Sequence, residues 1–359
     1  MITVGYFIAI GFLVLPAMDY FLGLRVLPNY KSSGEKDMVS AVGGEGVSVI
    51  IACHNEEENI EKKVLEIRDQ LTQAGVSKTE IIVVDDGSTD SSGEIAQNIV
   101  NKGFATLLKV PSRMGKPNAI NLGVEASQYP ILLFSDVRQT ISESAIKILL
   151  SRFEDSDVGA VSSQLELKGG DSPARRWMNT LKLRESNKGS TTGVCGALYA
   201  IKKQYVEQLP EDTILDDLVM AMFVMKAGKR VIHEPSAILY DVPFDEFYSG
   251  RRQGRITAGL IQLLKMHRPL LWNIGLVQLI FLYGQKYLKY TAPILFGISS
   301  IIALFSDTLT MWHFSITIVL LALITIANPL FVAQAMKLII SYMAQLLKLE
   351  KYTKVKWEK

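Results

Sequence analysis

The chain has only two cysteines, Cys53 and Cys195, and four histidines in 359 residues. Two cysteines exclude a disulfide-rich scaffold, fit a reduced compartment and leave no CxxC pair for a thiolate metal site. An excess of one charge is also missing: 38 Lys and Arg face 36 Asp and Glu, a net of +2. That balance carries no nucleic-acid signature, and no nucleic-acid partner is expected. No GxGxxG follows the first predicted strand, which removes the main support for dinucleotide binding. Gly115-Lys116 is followed by Pro117 where a phosphate-binding loop needs Ser or Thr, and HExxH and GxSxG are absent. With 48% hydrophobic and 21% charged residues, the chain is neither disordered nor a coiled coil. Its mean hydropathy of +0.21 is high for a wholly soluble protein, so the placement of apolar residues decides the reading.

Residues 2–24 contain one charge, Asp19, and are long enough to cross the hydrocarbon core of a bilayer. The basic residues Arg25, Lys31 and Lys36 follow the run instead of preceding it, which argues against a cleaved signal peptide. The positive-inside rule then leaves the N-terminus outside and the following domain in the cytoplasm. Two further apolar stretches, 291–305 and 311–332, have an uncharged-to-acidic loop between them (Asp307) and lysines on their flanks. Both flanks are therefore expected inside. Residues 269–290 are apolar but interrupted by Pro269, Lys286 and Lys289, as in helices lying in the membrane interface; a third C-terminal span is the alternative. The expected organisation is a transmembrane helix over 1–25, a linker over 26–46 and a soluble domain over 47–265. Interfacial amphipathic helices follow over 266–290, two transmembrane helices over 291–334 and a basic cytoplasmic tail over 335–359.

The middle reads as α/β. Val47–Cys53 (VSVIIAC) is a continuous apolar run, as in a strand buried on both faces. The spacing of Ile60, Val64, Ile67 and Leu71 predicts a helix over 57–72. Strands are expected at 80–84, 105–110 and 131–134, with helices at 90–101 and 116–126 between them. This alternation implies crossover connections and a mostly parallel sheet, whose ligands sit at the carboxyl ends of strands.

The polar residues cluster at those ends. His54-Asn55-Glu56 follows the first strand; Asn55 also suits a helix N-cap. Asp85-Asp86-Gly87-Ser88-Thr89-Asp90 follows the second, where DDG alone is a turn. Arg113-Met114-Gly115-Lys116, then Asn118 and Asn121, opens a helix; Lys116 is there a point charge for phosphate or a solvated lysine. Ser135-Asp136-Val137-Arg138-Gln139 follows the fourth strand. The segment 192–199 (TGVCGALY) is rich in small residues, and its glycines let a ligand approach the backbone. Cys195 shows no His–Asp partnership and reads as a small lining or packing residue. Asp216-Asp217 stand as helix N-terminal acids favoured by the macrodipole or as a general base and its support. Arg252 and Arg255, within Arg251–Ile256, are three apart and share a helix face. They could stabilise a leaving diphosphate or face anionic lipid.

In this order the segments resemble the family 2 glycosyltransferases, from about residue 47 to 290. The resemblance implies a GT-A fold and inverting transfer from a nucleotide diphosphate sugar, a UDP-sugar by the form of VVDDGSTD. It implies that Asn55 and Glu56 lie against base and ribose, that Asp86 contacts the base with Asp85 beside it, and that Lys116 meets the diphosphate. Most of the family has Asp-x-Asp around the metal, Mg²⁺ or Mn²⁺. Here Asp136 keeps the first acid and Arg138 replaces the second, as in a subgroup of bacterial polysaccharide-type transferases with Asp-Ala-Arg-Gln, so that either Asp136 and other acceptors hold the metal or Arg138 supplies part of the charge compensation. Cys195 and Gly196 fall in the acceptor-lining segment, and Asp217 falls at the position of the base with Asp216 supporting. Arg252 and Arg255 fall where processive members carry QxxRW, in the form RxxRI, without its Gln and Trp.

The function expected from this resemblance is a membrane-bound transferase of the cytoplasmic membrane acting on a polysaccharide or lipid-linked acceptor. Its partners would be the nucleotide-sugar donor, that acceptor, the bilayer, and further copies of itself or other polysaccharide-assembly proteins. Two alternatives stand beside it: a single-sugar transferase acting on a lipid carrier, and an inactive homologue serving as scaffold or nucleotide-sugar sensor.

Overall fold

The computed structural model describes residues 28–29, 46–242 and 246–287. The expected spans at 1–25 and 291–334, most of the 26–46 linker and the 335–359 tail lie outside the described residues. Among those described, no helix is long and apolar enough to cross a membrane. The chain divides into two units. One contains residues 28–248 and 268–275; the other contains, among the described residues, 249–267 and 276–287.

The first unit is built on an eight-stranded sheet. Its strands are β1 (Val47–Cys53), β2 (Thr79–Asp85), β3 (Thr106–Lys109), β4 (Ile131–Ser135), β5 (Thr140–Ile141), β6 (Val158–Leu167), β7 (Leu198–Lys202) and β8 (Arg230–Asp241). The order is β3-β2-β1-β4-β7-β6-β8-β5. From β3 to β4 the strands are parallel, as the apolar runs and alternating helices require. Beyond β4 the sheet is mixed: β7 is antiparallel to both β4 and β6, β8 is parallel to β6, and β5 is antiparallel to β8. The expected mostly parallel sheet thus holds for six of the eight strands, and β7 and β5 run the other way. For β7 the cause is the path of residues 190–197. Thr191 N–H donates to the Val231 carbonyl near the start of β8, whereas the Ala197 carbonyl accepts from Asp136 N–H just past the end of β4. The chain has therefore crossed to the carboxyl end before β7 begins, and β7 must run back.

Helices cover both faces of the parallel half. On one face α1 (Ile60–Gln73), α2 (Ser92–Asn101) and α4 (Ala145–Ser151) bury Ile60, Val64, Ile67, Ala96, Ile99 and Leu149 against Val49, Ile51, Val83 and Leu133. On the other face α3 (Lys116–Ala126) sets Ala119 against Ile82 and Val84. Neighbouring residues of β2 thus point into different cores, so the strand must be apolar throughout. Two helices start later than the periodicity suggests. Residues 56–59 form a turn closed by Asn59 N–H on the Glu56 carbonyl, and Asp90 Oδ1 accepts from Ser92 N–H ahead of α2. The unit also contains α5 (Pro173–Asn187), α6 (Asp216–Lys226) and α8 (Arg268–Trp272). Leu218 to Met225 of α6 are all buried, whereas Asp217 in its first turn is partly exposed.

The second unit holds most of α7 (Glu246–Lys265) and α9 (Leu276–Leu282), followed by a π turn at Tyr283–Tyr287. The Tyr287 hydroxyl donates to the Leu260 carbonyl at 2.9 Å and ties the turn to α7. The segment expected to be helical at 266–290 is so in α8 and α9.

Candidate active site

Three strand-end loops are stitched together by side chains of the expected nucleotide site. Asn55 adopts the left-handed backbone region (φ 55°), which Asn tolerates better than most residues. Its Oδ1 accepts from Thr89 N–H at 2.8 Å, and its own N–H donates to Ser88 Oγ at 3.0 Å. Asn55 is therefore no cap of α1; it joins the loops after β1 and β2. Glu56 N–H donates to Ser92 Oγ at 2.7 Å in the same seam. Asp85 Oδ1 accepts from Ser88 N–H at 2.9 Å. Asp86 holds the third loop: Oδ1 accepts from Met114 N–H at 2.7 Å and Oδ2 from Gly115 N–H at 2.9 Å. Gly87 must be glycine here. Its φ is +65°, and a Cβ would sit 2.6 Å from Arg113 N. The DDG triplet is thus a clamp on residues 112–115 as well as a turn.

A second cluster lies where β4, α3 and α6 meet. Lys116, the first residue of α3, places Nζ 2.7 Å from Asp136 Oδ1 and 3.5 Å from Asp216 Oδ2. Asp136 stands one residue past β4, and Asp216 and Asp217 form the first turn of α6. Asp217 Oδ1 accepts from Leu218 N–H at 2.9 Å, so this acid serves the helix N-terminus while its other oxygen faces Gly196. A Cβ at Gly196 would lie 3.3 Å from Asp217 Oδ2 and 3.2 Å from its Cβ. The small-residue segment thus lies directly on the expected base. Cys195 beside it is buried in the core, and its N–H donates to Ser162 Oγ at 2.8 Å.

Arg138, at the position of the second acid, forms an ion pair with Glu56, its Nε and a terminal nitrogen lying 2.7 and 2.6 Å from Glu56 Oε1. Residues 54–56 and 136–138 are therefore linked by charge. The structure adds residues that spacing did not mark. Lys63 of α1, almost fully buried, donates to the Gln139 carbonyl and pairs with Glu66 at 2.6 Å; burial lowers the proton affinity of its amine. Glu66 accepts from Ile141 N–H at 2.8 Å and Gln70 accepts from Ile146 N–H at 3.2 Å. This polar stripe on α1 fixes the loop carrying Arg138. Its signal in the sequence is a Lys, Glu and Gln at helical spacing among the core positions. Cys53 is no nucleophile: burial first, then the charges of Asp85 and Glu56, push its thiol up to about 12. Tyr199 of β7 stacks on Phe134 at 4.7 Å. Burial, followed by Asp216, Asp217 and Asp136, holds its phenol well above the usual range, so it stays protonated. Arg252 and Arg255 lie three apart on α7, within the second unit.

Among the described residues, no group of three or more His, Cys, Asp or Glu is arranged around a metal position. Yet Asp136 and Asp216 converge on one ammonium, and the buried Asp216 Oδ2 accepts no hydrogen bond. One or two carboxylates suffice for Mg²⁺ when substrate phosphates and waters complete its shell, so these residues fit such an ion.

The model of Glycosyl transferase family 2 matches residues 48–210. Poly-beta-1,6-N-acetyl-D-glucosamine synthase of Staphylococcus aureus (strain COL) is 23% identical over 208 residues, covering 55% of this chain and 50% of the relative. The synthase of the same name from Staphylococcus epidermidis is 21% identical over 208 residues, with the same coverage. The chain spans about half the length of these curated relatives. Among solved structures, mannosyltransferase PcManGT from Pyrobaculum calidifontis, in complex with GDP-Man and Mn²⁺, superposes with a TM-score of 0.70 at 21% identity, covering 96% of each chain. That likeness shows a shared GT-A-like fold with a mixed sheet. Residues 48–210 are a glycosyl transferase family 2 domain.

Proposed function

We propose that the chain is an inverting, membrane-anchored glycosyltransferase that moves a sugar from a UDP-sugar to a growing polysaccharide or a lipid-linked acceptor. The observation that carries this reading is the meeting of Lys116, Asp136 and the Asp216–Asp217 pair at the carboxyl ends of the central strands, with Gly196 against Asp217. Asp217 takes the proton of the acceptor hydroxyl. The hydroxyl oxygen bonds to the anomeric carbon as the bond from that carbon to the diphosphate breaks on the opposite face. Lys116 offers its ammonium to the diphosphate, and the loops clamped by Asn55, Asp85 and Asp86 receive the nucleoside. A bound Mg²⁺ or Mn²⁺, held by Asp136 with Asp216 within reach, would neutralise charge on the diphosphate. Arg252 and Arg255 are assigned to the leaving diphosphate or the acceptor.

The names of the Staphylococcus relatives make N-acetylglucosamine the first sugar to test. Membrane attachment rests on the apolar runs at 1–25 and 291–334, and the basic residues on their flanks support a cytoplasmic domain by the positive-inside rule. The full chain, reconstituted in liposomes, is incubated with UDP-N-acetylglucosamine, UDP-glucose or GDP-mannose. Turnover of one donor, lost in Asp217→Asn, supports the reading; nucleotide binding without any turnover supports a sensor or scaffold instead. Long glycans separate a synthase from a transferase adding one sugar to a lipid carrier. Turnover unchanged by exhaustive chelation would remove the metal.

A further inference from the structure

Lys116 is assigned above to the diphosphate, yet its ammonium already has a place of its own. It lies 2.7 Å from Asp136 Oδ1 and 3.5 Å from Asp216 Oδ2. The side chains of Lys116 and Asp216 are 14% and 8% exposed, whereas Asp136 is open to 33%. The contact is mostly screened from water, and Asp136 is its open end. Two other cations act near Asp136, and both have acids of their own. Arg138 pairs with Glu56, and Lys63, which feels the Asp136 charge, pairs with Glu66. Asp136 and Asp216 are thus both matched to Lys116. Asp217 adds a third negative charge that acts, like theirs, on Tyr199.

A divalent cation on the same carboxylates wants what the ammonium already has. The two cations also repel each other strongly at a separation of a few ångströms in a partly buried site. A diphosphate changes the balance. Its oxygens attract the ammonium as a point charge, and an ammonium drawn to them leaves two carboxylates uncompensated. One or two carboxylates, completed by phosphate oxygens and waters, are the ligands that Mg²⁺ takes.

We propose that Lys116 is a built-in counterion that keeps a divalent cation off Asp136 and Asp216 until a nucleoside diphosphate draws the ammonium away, so that nucleotide and metal load together. The inference rests on the cleft being the transfer site and deepens that reading. Its test is Mn²⁺ binding by the full chain, followed through the paramagnetic resonance signal of the free ion, with no turnover involved. Wild type without nucleotide should bind Mn²⁺ weakly. Lys116→Gln keeps a hydrogen-bond donor without the charge, and should bind Mn²⁺ about tenfold tighter or more, as removal of a nearby like charge requires. Lys116→Arg keeps the charge and should stay near wild type. The gain should vanish when Asp136→Asn is added to Lys116→Gln. UDP or GDP and Mn²⁺ should tighten each other's binding, beyond their association in free solution, by a factor that is the same read from either ligand. That factor should be smaller in Lys116→Gln than in wild type. Should Lys116→Gln fail to fold, Lys116→Met takes its place, and wild type alone still decides: micromolar Mn²⁺ binding without nucleotide overturns the proposal. Equal affinity in wild type and Lys116→Gln overturns it too, as does a gain that survives Asp136→Asn; nucleotide binding then remains, and the site reading with it. Wild type that binds neither UDP nor GDP defeats the site reading and this proposal together.

Discussion

The two acidic clusters at the strand ends differ in what they are bonded to. Asp85 and Asp86 are buried to 1% and 4% exposure, and three of their four carboxylate oxygens accept main-chain N–H groups from Ser88, Met114 and Gly115. Asp136 and Asp216 instead share one lysine side chain. The first pair is committed to holding loops in place. The second is held by one ammonium, and in the proposed reaction substrate or cation would take that ammonium's place. Acids that look alike in a motif thus divide into those bonded to main-chain amides and those paired with a side chain.

The largest effect should come from the chemical cluster. Asp217→Asn keeps the acceptor for Leu218 N–H but cannot take a proton. Turnover should fall about 10²- to 10⁴-fold, the range of a general base, with the melting temperature within a degree or two of wild type. A large loss of stability with it would break the distinction between the two clusters.

The structural cluster should answer in the opposite way. Asp86→Ala strips the partner from two N–H groups, those of Met114 and Gly115. Each such loss costs about 1–3 kcal/mol, so urea unfolding should show about 2–4 kcal/mol less stability. Nucleotide affinity should fall too, because residues 112–115 lose their clamp. If Asp86→Ala melts like wild type while binding fails, Asp86 is a ligand contact first and a clamp second.

A buried group remote from both clusters supplies the pH control. His233 of β8 is 3% exposed with neither ring nitrogen bonded, and burial, with Lys182 adding to it, lowers its pKa to about 3. Above about pH 6.5 the ring is neutral folded or unfolded and contributes no pH dependence. Below that the unfolded chain takes up a proton that the native state refuses, so stability falls with acidification, by up to about 1.4 kcal/mol per pH unit down to about pH 3. Thermal melts from pH 7 to 5 should show this slope in wild type and a shallower one in His233→Gln. Equal slopes would mean that another group governs acid sensitivity.

Much of this was legible from residue order. Continuous apolar runs followed by polar residues locate β1, β2 and β4 and the end of the sheet where Lys116, Asp136 and Asp216 meet, because burial on both faces and polar strand ends are local properties. The antiparallel β7 was not legible, because its direction depends on residues 190–197 crossing the sheet, and no local pattern records a crossing. Nor could spacing tell that Asp86 is saturated by amides 28 and 29 residues away, or that Tyr199, one more apolar-looking position in LYAIK, ends in an unsatisfied hydroxyl. Those facts arise only when distant loops come together.

The smallest effect tests the link between the two clusters. Arg138 is half exposed, and its ion pair with Glu56 joins the loop after β1 to the loop that bears Asp136. Exposed pairs contribute about 0–1 kcal/mol, so Arg138→Ala should barely move the melting temperature. Its value lies in sorting two roles. If Arg138 only ties Glu56 down, Arg138→Ala and Glu56→Gln should each reduce nucleotide affinity by a few-fold, and the double variant should do no worse than either, as expected for two groups acting through one contact. If Arg138 leaves Glu56 to compensate charge on the diphosphate, Arg138→Ala alone should weaken the nucleoside diphosphate more than the nucleoside monophosphate, and raising the salt concentration should shrink the difference. Replacement of Arg138 by Asp, which restores the acid commonly found at this position in the family, then separates the cases further: it should break the tie to Glu56 by repulsion while offering a second carboxylate beside Asp136, so a steeper dependence on added Mn²⁺ would place Arg138 functionally with the chemical cluster, and a plain loss of nucleoside affinity would place it with the clamps.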